Sequence, residues 1–173
     1  MTEFLKPTLI NLKSNFDERG YTSLFEFNDF ALGQKSKLRL LHVKNILAGT
    51  IRGLHYQELS NHETKFILCE SGKLFDVSVC IDPNNPFFGT KYIFELDSNF
   101  PQILHVPTGF AHGYQTLEGN TNILYFITGD HNELSGRTLL WNDKSLNIPW
   151  PMTVTNISNK DSMGDPWEKL ISL

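Results

Sequence analysis

Apolar residues through the middle of the chain come in short runs separated by turn residues, and few segments keep a helical period. Phe75, Val77, Val79 and Ile81 alternate with Asp76, Ser78 and Cys80, the period of a strand with two different faces. The apolar run at 65–69 precedes it, and Glu70-Ser71-Gly72-Lys73 lies between, so the pattern predicts a hairpin. Asp82-Pro83-Asn84-Asn85-Pro86 then breaks the chain, 91–96 reads as another strand, and 103–106 runs up to Pro107 and its glycine turn. In the strand expected at 122–128, Ile123, Tyr125 and Ile127 share one face. The tail from 156 to 173 is polar and short, with room for a helical turn or two around 166–170. Many short antiparallel strands at close spacing predict a mostly β fold, a sandwich or jelly-roll β-barrel with short peripheral helices. No repeat, linker or low-complexity segment interrupts it, so 1–173 is expected to be a single domain.

Composition narrows the class. At 173 residues, 40% hydrophobic and 20% charged, the chain can bury one sizeable core. A net charge of −4 excludes a general attraction to nucleic acid polymers, while single Arg and Lys residues can still hold a small phosphate ligand. No apolar run approaches the roughly 18 residues of a membrane span, and residues 1–16 lack an unbroken apolar region. A cytoplasmic location is therefore expected. Cys69 and Cys80 each sit in an apolar strand-like run and read as core thiols.

The chemistry concentrates in two segments, Gly49-Thr50-Ile51-Arg52-Gly53-Leu54-His55-Tyr56-Gln57 and Pro107-Thr108-Gly109-Phe110-Ala111-His112-Gly113-Tyr114. A guanidinium, an imidazole and glycines that admit a ligand close to the backbone make a proton-transfer and anion-binding set. His55 is the natural base at neutral pH, and a carboxylate from elsewhere in the chain would orient it. His112 is expected on the turn after a strand. A metal site in such a barrel wants His-x-His with an acidic ligand and a later His. Here Gln57 stands where the second ligand would be, with His62 and Glu63 as the nearest substitutes, so metal-free chemistry is expected. Lys65 reads either as a solvated strand end or as a cation for an oxyanion, and Tyr125 either as a core tyrosine or as a proton donor. Arg19, in the turn Asp17-Glu18-Arg19-Gly20-Tyr21, suits phosphate. The segments around Trp141 and Trp150 read as packing of the barrel wall.

Arg52-Gly53-Leu54-His55-Tyr56-Gln57, the Pro107 to Tyr114 turn, Leu124-Tyr125, Trp141-Asn142-Asp143, Ile148-Pro149-Trp150-Pro151 and Ser158-Asn159-Lys160-Asp161 occur in order. Together they resemble the dTDP-4-dehydrorhamnose 3,5-epimerase family over nearly the whole chain. The resemblance implies a cupin-type jelly roll working without metal or cofactor, a homodimer with exchanged N-terminal strands, and a nucleotide-diphosphate-linked 4-keto-6-deoxyhexose as substrate, in deoxysugar and O-antigen polysaccharide biosynthesis. It implies that His55 is the base and Asp161 its partner, that Tyr125 is the opposing acid, and that Lys65 lies near the keto oxygen. Arg19 and Arg52 would hold sugar and diphosphate, and His112 would line the site. Gln57, Glu63 and His131 complete the expected substrate-binding set.

The chain departs from the family at Phe126 (usually Lys), at Asp130-His131 (a tyrosine pair), at Glu63 (Gln), at Leu24 (Glu), and in a shorter stretch before Arg52. These changes surround the nucleotide and sugar, so the chemistry is expected to persist on a dTDP- or CDP-linked substrate, at C3, C5 or both. The competing readings are a 3,4-ketoisomerase of the same barrel class, a sugar-nucleotide binding protein without catalysis, and a metal-dependent enzyme of the barrel class.

Overall fold

The computed structural model describes residues 5–27, 37–58, 63–129 and 133–171. The alternating runs become short strands: β1 (Thr8–Asn11), β2 (Lys13–Asp17), β3 (Gly20–Leu24), β4 (Leu38–Asn45), β5 (Thr50–Gln57), β6 (Thr64–Ser71) and β7 (Lys73–Cys80). They continue through β8 (Lys91–Asp97), β9 (Gln102–Val106), β10 (Phe110–Thr116), β11 (Thr121–Thr128), β12 (Gly136–Thr138) and β13 (Asn156–Ile157). Helix is confined to α1 (Asn159–Ser162), α2 (Trp167–Ile171) and one 3-10 turn at Glu133–Ser135. The fold is mostly β, as the period of two predicts.

Two sheets face each other. One runs β1-β9-β6-β11-β4, the other β12-β5-β10-β7-β8, with β13 added parallel beside β5. The pairing corrects the hairpin expected from residues 65–81. β6 pairs with β9 and β11 in the first sheet, and β7 with β10 and β8 in the second. The turn between them carries the chain from one sheet to the other, with Gly72 at φ 77 packed so closely on Thr121 that a Cβ would lie 2.4 Å from its hydroxyl.

Ile67, Leu104, Ile123, Leu74 and Leu96 fill the space between the sheets. The alternate residues of β7, Val77 and Val79, are buried on the far face against Leu54, Leu139, Leu146 and Ile148, so both faces of that strand are covered. The Trp segments form this outer wall: Trp150 donates its indole N–H to the Trp141 carbonyl at 2.9 Å and meets Phe75 edge-on. The space left between the sheets at one end, where polar residues replace the core, holds the site.

Candidate active site

β5 and β10 run antiparallel with His55 directly opposite His112. His112 thus lies within a strand, three residues beyond Gly109, rather than on the turn itself; β10 takes up its ladder with β7 at Phe110. The two backbones approach closely at Gly53 and Gly113, where a Cβ on Gly53 (φ 117) would sit 2.6 Å from the Gly113 Cα. On the facing sheet, one row across the strands is Arg39, Ile127, Lys65 and the next is Leu41, Tyr125, Ile67. A cavity of about 530 Å³ lies between, lined by His55, His112, Arg52 and Tyr114 from one wall and by Lys65, Tyr125, Arg39 and Glu63 from the other. That volume suits a small-molecule ligand. Arg137 and Lys160 add to the lining, so among the described lining residues cationic side chains outnumber carboxylates, as an anionic ligand requires.

His55 reaches Asp161 through Nε2 at 2.7 Å. An ionised carboxylate can only accept, so Nε2 carries the proton and Nδ1 keeps the basic lone pair. Asp161 is placed by α1: its own N–H donates to the Ser158 cap at 3.1 Å, and its second oxygen accepts the Gly53 N–H at 3.2 Å. Burial pushes its carboxyl up, but the His55 hydrogen bond and charge and the Gly53 amide outweigh this and hold it below the usual carboxylate range. Asp161 therefore stays ionised beside the His55 ring.

A second pair lies deeper. His112 Nε2 meets Asp76 Oδ2 at 2.8 Å with both side chains buried. Burial lowers the His112 pKa despite Asp76, with Lys65 and His55 adding repulsion, so this ring is a neutral donor. Tyr125 crosses from the other wall, its ring edge-on to His112 with centroids 5.9 Å apart, and burial drives its phenol well above the ordinary value. It is held protonated. Lys65 Nζ lies 3.4 Å from the His55 carbonyl; burial lowers its pKa, while Glu63 and Asp76 act against that.

The cavity thus gathers His55, Lys65, Tyr125, Arg52, His112, Gln57 and Glu63, with Asp161 behind His55. Gln57 accepts from Ser135 at 2.6 Å, and Glu63 pairs with Arg39. Arg19 is not among the lining residues: it sits on the separate β2–β3 hairpin, 84% exposed, paired with Asp17. His62 and His131 lie outside the described residues. Sequence reasoning missed Asp76, Asn45, Tyr114 and Arg39. Asp76 carried a usable signal, an acid in the middle of an apolar strand. Among the described residues no group of three or more His, Cys, Asp and Glu side chains is arranged to hold a metal ion.

A jelly roll with a carboxylate-tethered imidazole on one wall of an anion-accepting cavity, and a protonated phenol and an ammonium on the other, defines an enzyme of proton transfer at a small ligand. The family model for dTDP-4-dehydrorhamnose 3,5-epimerase matches residues 2–169. The dTDP-4-dehydrorhamnose 3,5-epimerase of Shigella flexneri is 34% identical over 152 residues, 86% of this chain and 83% of that protein. The crystal structure of the Bacillus anthracis dTDP-4-dehydrorhamnose 3,5-epimerase with TDP and PPi bound is 31% identical at a TM-score of 0.86, covering 96% of this chain and 97% of that one. A Legionella pneumophila epimerase in complex with dTDP-4-keto-L-rhamnose is 28% identical at a TM-score of 0.82, over 92% and 87% of the two chains. The chain belongs to the dTDP-4-dehydrorhamnose 3,5-epimerase family, and its class is isomerase.

Proposed function

We propose that the protein inverts C3, C5 or both of a dTDP- or CDP-linked 4-keto-6-deoxyhexose in deoxysugar biosynthesis, as a cytoplasmic enzyme whose single domain spans residues 1–173. A C–H beside a ketone becomes acidic only where the enolate oxygen is held. His55 Nδ1 takes that proton, the C–H electron pair moves into the enolate, and Lys65 with neutral His112 supports the developing O⁻. Tyr125 then delivers its phenolic proton to the opposite face, and solvent restores both groups. The observation that carries this reading is the placement of His55, tethered by Asp161 of α1, on one sheet and of Tyr125 on the facing sheet. Arg52 and the cationic lining take the diphosphate.

The β2–β3 hairpin supports a homodimer with exchanged N-terminal strands. It forms a sheet of its own, exposes Phe16, Tyr21 and Leu24, and carries Arg19 away from its own chain's cavity. Edge strand β4 likewise exposes Leu38 and Leu40. In the dimer, each Arg19 serves the partner's cavity.

Incubation with dTDP- and, separately, CDP-4-keto-6-deoxyglucose followed by NMR of the sugar tests the reading. Inversion at C3 or C5 with the ketone still at C4 supports it; a ketone moved to C3, or binding without turnover of either compound, defeats it.

A further inference from the structure

Arg52 has no acidic partner among the described residues, yet its position is fixed. Its Nε donates to the side-chain oxygen of Asn45 at 2.9 Å, and the Tyr114 hydroxyl donates to that same oxygen at 3.2 Å. Asn45 is 2% exposed and closes β4, where its Nδ2 donates to the carbonyl of its register partner Thr121 at 3.2 Å. These contacts fix the orientation of the amide. A flipped amide would set its N–H groups against the Nε–H of Arg52 and its oxygen against a carbonyl, losing both interactions.

Arg52 and Tyr114 are themselves register partners on β5 and β10. Asn45 therefore reaches from one sheet to two neighbouring residues of the other and ties the sheets together at the cavity. Nε is the one guanidinium nitrogen of Arg52 with a partner among the described residues. Both terminal nitrogens are left as a fork on the cavity lining.

We infer that Asn45 is a positioning residue that holds Arg52 so that its terminal N–H groups meet the diphosphate oxygens of the substrate. The inference rests on the sugar-nucleotide reading above. Its physical content is pre-organisation: a guanidinium locked through Nε has its plane set before the ligand arrives, and loses less freedom on binding than one on a free four-torsion stem. Asn45 does this without charge, so the cation keeps its full attraction for phosphate. A carboxylate in its place would neutralise part of it.

Titration calorimetry with TDP and with CDP tests this on wild type, Asn45→Ala, Arg52→Ala and the double variant, with Asn45→Ser, too short to reach Nε, standing in should the alanine variant not fold. Loss of Asn45 is expected to weaken nucleotide binding roughly tenfold. In the Arg52→Ala background it is expected to add nothing, because its effect passes through Arg52. In turnover, KM rises and kcat stays near wild type, the pattern of a lost ground-state contact. A dissociation constant within about twofold of wild type, or an equal further loss without Arg52, overturns the inference while leaving the sugar-nucleotide reading intact. A wild-type protein that binds neither nucleotide overturns that reading, and this inference with it.

Discussion

Asp161 is nearly buried, while the His55 it holds is about half exposed to the cavity. This division of labour predicts different failures for different substitutions. Asp161→Asn offers a donor where a carboxylate stood, so the ring can turn its basic nitrogen inward, and kcat should fall by roughly two orders of magnitude or more with the fold retained. On the proposed mechanism, Tyr125→Phe removes only the returning acid. Proton abstraction by His55 should then continue, so solvent deuterium should still enter the substrate while the inverted product falls about a hundredfold, which mass spectrometry of recovered substrate would reveal. Equal loss of exchange and inversion would contradict the assignment of the two roles to opposite walls.

The strands that carry these residues are held to register by close contacts. Gly53 is the case nearest the two histidines, since a side chain there would strike Gly113 and the His112 carbonyl, 2.6 and 2.7 Å away, at a φ of 117. Gly53→Ala should cost about 2 kcal/mol or more in a denaturant titration and disturb both histidines. Gly20, at φ 128 but with nothing within 4 Å of its would-be Cβ, should lose less on the same change. Much of β11 and β7 was legible in the sequence because alternation is local: Ile123, Tyr125 and Ile127 do share the inward face. Pairing is not local. Nothing in the turn Ser71-Gly72 distinguishes a hairpin from a crossing between sheets, and the assumption of a hairpin hid the burial of β7 on both faces. For that reason Asp76 passed as an ordinary polar position, although it anchors His112 in the interior. The Asn45 link was equally out of reach, since it joins strands of different sheets.

At the scale of the whole molecule, two interior histidines among the described residues have pKa values lowered by burial, His105 to about 4 and His112 below its ordinary value. A histidine depressed in the folded state stays neutral there while the unfolded chain takes up a proton. Stability is therefore complete above the unfolded value near 6.5 and declines as pH falls from 6.5 toward 4. His105 alone accounts for roughly 3 kcal/mol of that decline by pH 4. Urea unfolding of wild type and His105→Phe at pH 7 and pH 5 should give a smaller pH difference in the variant; equal differences would contradict it. Strand exchange makes its own prediction. Arg19→Ala and His55→Asn proteins, each impaired alone, should regain roughly a quarter of wild-type sites on refolding as a mixture, because half the dimers are mixed and each contains one intact cavity. No recovery would mean that Arg19 does not serve a partner's site.

The most direct measurement of the central claim is solvent deuterium incorporation, with the wild type and His55→Asn incubated in deuterated water with dTDP- or CDP-4-keto-6-deoxyglucose and the sugar read by NMR. Deuterium at an inverted C3, C5 or both in the wild type, and its loss in His55→Asn, is the result expected of a His55 base acting across the cavity from Tyr125. Incorporation that survives in His55→Asn, or none with either nucleotide in the wild type, would contradict it.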